Sequence, residues 1–387
     1  MYIDQLQLRN WKNFRRASTH LSKRTFLIGP NAAGKSNLLD AFRFLSDVAA
    51  TGLSAAVGNR GGISRIRCLA ARKSPVITVD VTIAGDSGNP RWRYDLQFSQ
   101  DSTRTPVVRK ERVVDLRSER VVVDRPGPED QDDPLRLTQT MLEQIVANRD
   151  FREVADFFFS ISYQHLVPQA VRDPKGFTSA PVDNDPYGRD LVMRLWNTNA
   201  RTRTAWLRRI CSALRQAVPQ LQSLAVEMDS QGVPHLVGRY EHWRAHSAKQ
   251  TETQFSDGTL RLFGLMWSMF EGTGPVLLEE PELSLHPEVV RAIPQMFASL
   301  QDEIRKMKRK GTHEQRQVVL STHSTELLQD LSIGAHEVLL IQPSAEGSTI
   351  ESARPQDEEL LRAGLSAAEV LLPRSAPTGQ QLLFRFD

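Results

Sequence analysis

The sequence lacks most features that would place it outside ordinary folded proteins. Its two cysteines, Cys68 and Cys211, lie far apart and outside any CxxC or CxxH spacing. That excludes a disulfide framework and a cysteine-based zinc site, and it fits a reducing cytoplasm. No uninterrupted apolar run approaches the roughly 20 residues a spanning helix needs. Even Leu260 to Phe270 reads as a core helix. Met1 to Asn10 has no apolar run of signal-peptide length; Ile3, Leu6 and Leu8 alternate there as in a strand. A membrane is therefore not an expected partner, and the expected compartment is the cytoplasm. An excess of one charge is also lacking. Lys+Arg number 49 against 46 Asp+Glu, a net charge of +3, so a polyanion would have to be bound by a local basic surface. With 40% hydrophobic and 25% charged residues, the 387-residue chain is long enough for a large folded core carrying an insertion.

What is present is a strand, loop and helix near the start. Strand-like 25–28 runs into a glycine-rich turn, and Leu38, Leu39, Phe42 and Leu45 then fall at helical spacing. Segments 75–84, 91–98 and 106–115 alternate like an antiparallel meander. The acidic stretch Pro126 to Pro134 reads as an exposed loop with no packed role. Helical spacing predicts helices over 137–160 and 187–217, separated by a Pro- and Gly-rich run at 168–188, with strand-like pieces at 222–228 and 234–240. From residue 255 the pattern becomes a compact alternation of helix and strand: a helix at 258–270, strands at 275–279, 317–321 and 336–341, and a helix at 287–310. A further helical piece is expected at 357–371. These elements make an α/β protein with a mixed sheet, an antiparallel meander and a mostly helical insertion.

Four constellations carry chemistry. Gly29-Pro30-Asn31-Ala32-Ala33-Gly34-Lys35-Ser36 matches G-x-x-x-x-G-K-[ST] between an apolar strand and a helix, continuing into Asn37. Glycines let backbone N–H groups turn inward around phosphate oxygens, and the helix N-terminus favours their negative charge. Lys35 is expected on the β/γ-phosphates of ATP and Ser36 on Mg²⁺. Pro275 to Glu280 is a short apolar strand ending in two acids. Glu279 is expected at Mg²⁺ and Glu280 as the base that polarises water, although an aspartate usually holds the metal and the division of labour between the two stays open. Ser256, Asp257, Gly258 and Thr259 stand before an apolar helix and could serve simply as its N-cap. His323 follows the strand 317–321, where an imidazole could hydrogen-bond a phosphate. His286 could act near the site or cap the helix behind it.

The ordered set GPNAAGKS, FSDGTLR, LLEEPELSLHP and STHS resembles the AAA-21-type bacterial ATPases and is similar to the ATPase halves of RecF, SMC-like and OLD proteins. The resemblance implies an ABC-type head. Residues 1–98 would form its N-terminal lobe, 99–250 the insertion, 251–345 a C-terminal lobe and 346–387 a tail. It also implies a signature loop, in which Ser256, Gly258 and Arg261 act on the nucleotide of a second copy. His323 would be the switch histidine. A homodimer or higher homo-oligomer is expected, coupling ATP hydrolysis to DNA repair or anti-phage defence. The stretch after His323 is shorter than the nuclease domain of OLD proteins, so an effector is expected on a separate chain. DNA is a possible partner through the insertion, with Arg201, Arg203, Arg208, Arg209 and Arg215 preferred over Arg109 to Arg112 and Arg305 to Lys310. A nucleotide-stabilised scaffold that holds a toxic effector inactive without turnover is the alternative, and a transporter subunit a more distant one.

Overall fold

The computed structural model describes residues 1–71, 74–174, 185–241, 248–307 and 316–375. The chain starts with an antiparallel pair, β1 (Tyr2–Trp11) and β2 (Phe14–His20), followed by β3 (Arg24–Ile28) and α1 (Lys35–Thr51). β4 (Ile77–Ala84), β5 (Pro90–Gln100), β6 (Pro106–Asp115) and β7 (Arg120–Arg125) join that pair in a six-stranded antiparallel sheet, ordered β2-β1-β4-β5-β6-β7. After α2 (Arg152–Phe159) come the short β8 (Ser162–Gln164) and α3 (Ala200–Leu214). A three-stranded antiparallel sheet is made by β9 (Leu221–Met228), β10 (Pro234–Tyr240) and β11 (Ala248–Thr251).

The rest of the chain is α4 (Asp257–Phe270), β12 (Val276–Glu279), α5 (Pro287–Met307), β13 (Val318–Ser321), β14 (Val338–Ser344) and β15 (Gly347–Ser352). With β3 and β8 these strands build the central sheet, ordered β15-β14-β3-β13-β12-β8 and parallel except for the β14–β15 pair. Its inner strands β3, β13, β12 and the start of β14 are largely apolar because both faces are covered, whereas the edge strands β15 and β8 are mostly polar. Alternation along each strand sends Leu27, Leu277, Val319 and Ile341 to the side of α1, α2 and the antiparallel sheet. Phe26, Ile28, Leu278, Leu320 and Leu340 go to the side of α3, α4 and α5. No helix among the described residues is long and apolar enough to cross a membrane.

Several expectations change. Helix 137–160 is helical in the α sense only from Arg152, because side chains upstream satisfy the backbone instead. The Glu111 carboxylate accepts from Met141 N and Leu142 N, and Asn148 Nδ2 donates to Leu142 O. The helix expected over 187–217 is divided into Leu191–Asn197 and Ala200–Leu214, where Asn199 caps the second piece by accepting from Arg201 N and Thr202 N. The acidic loop does have a packed role: Asp130 is buried and pairs with Arg125 at 2.7 Å. The expected helix over 357–371 is two short ones, Pro355–Arg362 and Ala367–Leu371. Within 99–250, β6 extends the antiparallel sheet as its alternation predicted, and β7 in that sheet and β8 in the central sheet are strands that periodicity did not suggest. Residues 308–310 of the expected helix 287–310, and 175–184 of the Pro- and Gly-rich run, lie outside the described residues.

Candidate functional site

Three neighbouring parallel strands end at one level: Leu27 of β3 pairs with Ser321 of β13, which pairs with Glu279 of β12. Whatever follows these strands meets at the carboxyl edge of the sheet, where open α/β sheets bind ligands. Gly29 to Ser36 follows β3, Glu280 follows β12, and Thr322 and His323 follow β13.

The glycine loop is wired from two sides. Asn13 Nδ2, in the β1–β2 turn, and Ser348 Oγ, on β15, donate to Ala33 O at 2.7 and 2.6 Å. Asn37 Nδ2 donates to Asn13 Oδ1 at 2.9 Å, so this expected nucleotide contact braces the loop. Gly34 has φ +113°, and a Cβ there would come within 2.0 Å of the Asn13 amide. Backbone of this shape leaves the first N–H groups of α1 facing outward, with no side chain capping them.

Lys35 is buried, and its Nζ donates to Gly29 O at 3.0 Å and Pro30 O at 3.2 Å. The same ammonium lies 2.6 Å from His323 Nε2. Burial pulls the Lys35 pKa down, and the carboxylates of Glu280, Glu282 and Glu279 oppose that shift. The His323 pKa is lowered by burial and by Lys35, with Glu280 acting against them. A neutral imidazole follows, and its Nε2 can accept from Lys35.

Glu279 accepts hydrogen bonds from Ser36 Oγ and from the phenol of Tyr163 on β8. Glu280 has φ +44° and its N–H donates to Ser321 O at 3.1 Å; this turn brings its carboxylate to 3.4 Å from His323 Nε2. Glu282 accepts from Thr322 Oγ1 at 2.7 Å and from His323 N at 3.0 Å, tying the turn after β12 to the turn after β13. Its pKa is raised, mainly by burial. Beside Glu280, Glu282 and His323 opens a cavity of about 540 Å³, which Asn31 and Ser324 also line.

Lys35, Ser36, Glu279, Glu280 and His323 are thus brought together. Ser256 and Gly258 sit elsewhere. Ser256 Oγ caps α4, accepting from Thr259 N at 3.2 Å, and a Cβ on Gly258 would be 3.1 Å from Ser284 O and 3.0 Å from Leu285. Arg261, one turn on, is held below its usual pKa by burial, against the pull of Asp257, Glu280 and Glu282. His286 is a cap: its Nδ1 accepts from Glu288 N at 3.3 Å. Sequence reasoning missed Tyr163, whose strand is too short to give a periodic signal, and Asn13, whose role depends on a distant turn.

The preferred basic helix is largely occupied by its own chain. Arg203 donates to Trp196 O, Arg209 pairs with Glu303, and Arg215 donates to Leu221 O and Gln222 O. Arg305 and Lys306 likewise pair with Asp302 and Glu303. A different cationic surface is exposed: Arg9 and Arg16 are register partners across β1 and β2, beside a cleft of about 800 Å³ that Arg15 and Glu346 also line. Like charges directly opposite on a sheet are unfavourable without a counter-charge.

Comparison with known proteins agrees with this architecture. DNA replication and repair protein RecF of Chloroflexus aggregans is 35% identical over 104 residues, 23% of this chain and 26% of that protein. RecF of Chloroflexus aurantiacus matches to the same extent, so the chain spans only 26% of the length of these curated relatives. An SMC head bound to the C-winged helix domain of ScpA superposes with a TM-score of 0.57 at 15% identity, over 94% of this chain and all of that one. An SMC head with an extended coiled coil, bound to the C-terminal domain of ScpA derived from Pyrococcus furiosus, gives 0.50 at 12% identity, over 94% of this chain and 98% of that one. Both likenesses concern the fold, an ABC-like P-loop ATPase head with antiparallel and parallel sheets. The family model described as "AAA domain, putative AbiEii toxin, Type IV TA system" matches residues 24–329, and the chain belongs to that family.

Proposed function

We propose that this chain is a Mg²⁺-dependent ATPase whose copies close on one another around ATP. The observation that carries the reading is the convergence of Lys35, Glu280 and His323, within 2.6 and 3.4 Å of one another, beside the Ser36–Glu279 pair. The residues fit the substrate and its metal. The N–H groups at the start of α1, which no side chain caps, suit phosphate oxygens, and the Ser36 hydroxyl with the Glu279 carboxylate is a hard two-oxygen set of the kind that binds Mg²⁺ alongside phosphates. When bound, Mg²⁺ neutralises charge on the phosphates and fixes their geometry.

Lys35 exchanges its carbonyl partners for phosphate oxygens, and the longer it stays charged the better it serves there. Glu280 accepts the proton of the attacking water, and His323, neutral beside it, reports the γ-phosphate to the turn that Glu282 holds. Ser256 and Gly258 complete the site of the opposite copy through the hydroxyl and the N-terminus of α4. Gly258 packs on the turn at Ser284 and Leu285, which supports a path from that contact to Glu280. Residues 1–98 and 251–345 are proposed as the two lobes of the head.

The RecF relatives and the family description support two further proposals: that ATP turnover is coupled to DNA, and that a toxic or nucleolytic effector is carried by another chain. Arg9 and Arg16 favour the β1–β2 face for DNA over α3, because their unfavourable pairing is relieved by a phosphate backbone. The test is steady-state hydrolysis by the wild type and by Glu280→Gln, with and without duplex DNA. Mg²⁺-dependent turnover that is lost in the variant is expected. Tight ATP retention with background turnover in the wild type would favour the scaffold reading instead.

A further inference from the structure

Glu279 differs from the aspartate usual at its position by one methylene, and that gives its carboxylate an additional rotatable bond. In this chain both carboxylate oxygens are held. Oε1 accepts from Ser36 Oγ, and Oε2 accepts from Tyr163 OH. The second bond follows from sheet register. Tyr163 pairs with Leu277, so its ring projects on the face that Leu277 shares with Glu279, diagonally adjacent on the neighbouring strand. Arg43 lies over the Tyr163 ring, 5.1 Å from its centroid, and stands two turns after Ser36 on the same face of α1. Strand β8 therefore carries the phenol to Glu279, and helix α1 covers its ring through Arg43.

We propose that Tyr163 is a positioning residue for the divalent cation: by holding Oε2 of Glu279 it keeps Oε1 beside the Ser36 hydroxyl, so that the two oxygens are presented together. The inference rests on the proposed Mg²⁺–nucleotide site and goes beyond it in assigning the freedom of the longer acid to a partner from β8. Hydrogen bonds to a ligating carboxylate typically govern metal affinity by 10–100-fold, roughly, when removed.

The experiment uses the full chain, in excess over ATP, with Mn²⁺ as the probe and free Mn²⁺ read by electron paramagnetic resonance. Wild type, Tyr163→Phe, Glu279→Asp and the double variant are compared. Tyr163→Phe keeps the ring under Arg43 and should weaken Mn²⁺ binding about tenfold or more, with ATP affinity in chelator unchanged. In the Glu279→Asp background the shorter acid no longer reaches the phenol, and the same substitution should change Mn²⁺ affinity by less than about twofold. Wild-type Mn²⁺ affinity in Tyr163→Phe, or an equal loss in both backgrounds, would overturn the assignment. A wild-type protein that binds ATP but takes up no Mn²⁺ with it would overturn the metal site itself, a result separable from either of these.

Discussion

Two tyrosine–glutamate pairs in this molecule are used in opposite ways. Glu111 is fully buried and accepts from Tyr94 OH at 3.0 Å, Met141 N at 2.7 Å and Leu142 N at 3.2 Å, with Arg125 at 3.3 Å. Arg125 in turn pairs with Asp130 and donates to Arg136 O and Gln139 O. Every group has its partner, and the network fastens the turns after β7 onto the antiparallel sheet. Glu279, at the open edge of the central sheet, has two hydroxyl partners and, among the described residues, no ion-pair partner. Beside it the Glu280 carboxylate lies against a histidine rather than an arginine. A carboxylate saturated by buried donors and an arginine supports structure; Glu279, held by hydroxyls alone, and Glu280, against a histidine at 3.4 Å, are available for chemistry.

The contrast breaks most sharply at Glu280. Glu280→Gln should reduce ATP turnover by about 10²–10⁴-fold while leaving the melting temperature near that of the wild type, as read by an enzyme-coupled assay and calorimetry. Glu111→Ala should do the reverse. Truncating it leaves Arg125 with Asp130 but strands the Tyr94 hydroxyl and the N–H groups of Met141 and Leu142, and a loss of about 3–5 kcal/mol in denaturant unfolding is expected, with nucleotide affinity of the folded fraction unchanged. If Glu111→Ala lowered turnover without lowering stability, the division between the two pairs would be wrong.

A smaller effect is expected from His323. Its folded-state pKa lies below the usual value near about 6.5, so its contribution to stability is present above that pH and is lost as pH falls through the lower folded value. Wild type should therefore lose stability relative to His323→Gln on acidification from about pH 7.5 to 5. The difference should stay under about 1 kcal/mol because the ring is 34% exposed. The smallest effect should come from Arg16→Glu, which turns a like-charge cross-strand pair into an opposite one. It should stabilise the fold by about 0.2–1 kcal/mol while flattening the salt dependence of duplex binding.

Much of the site was legible because its residues follow strands that announce themselves. The run Phe26-Leu27-Ile28 before Gly29, Val276-Leu277-Leu278 before Glu279 and Val318-Val319-Leu320 before Thr322 are buried on both faces, and such strands are apolar throughout. The antiparallel sheet was legible in β1 and in β4 to β6, where alternation persists, while β2 and β7 went unread. Illegible parts have a different cause. β8 is three residues long and owes its place to pairing with β12, a contact more than one hundred positions away by number. The turns at 137–151 mimic a helix in apolar spacing, but the N–H groups of residues 140–143 go to the side chains of Glu111, Glu143 and Thr140, and the Glu111 contact is one no local pattern reveals. The arginines 201–215 read as a phosphate-binding stripe, since charge is visible in sequence and the carbonyls and acid that engage Arg203, Arg209 and Arg215 are not.

The most direct test of the composite site is the mass of the Glu280→Gln chain in solution, by light scattering after size exclusion, with and without MgATP. The account predicts an ATP-dependent doubling from 43.6 kDa that Ser256→Arg abolishes without reducing ATP binding to the separate chain. A mass that neither ATP nor Ser256→Arg alters would contradict it.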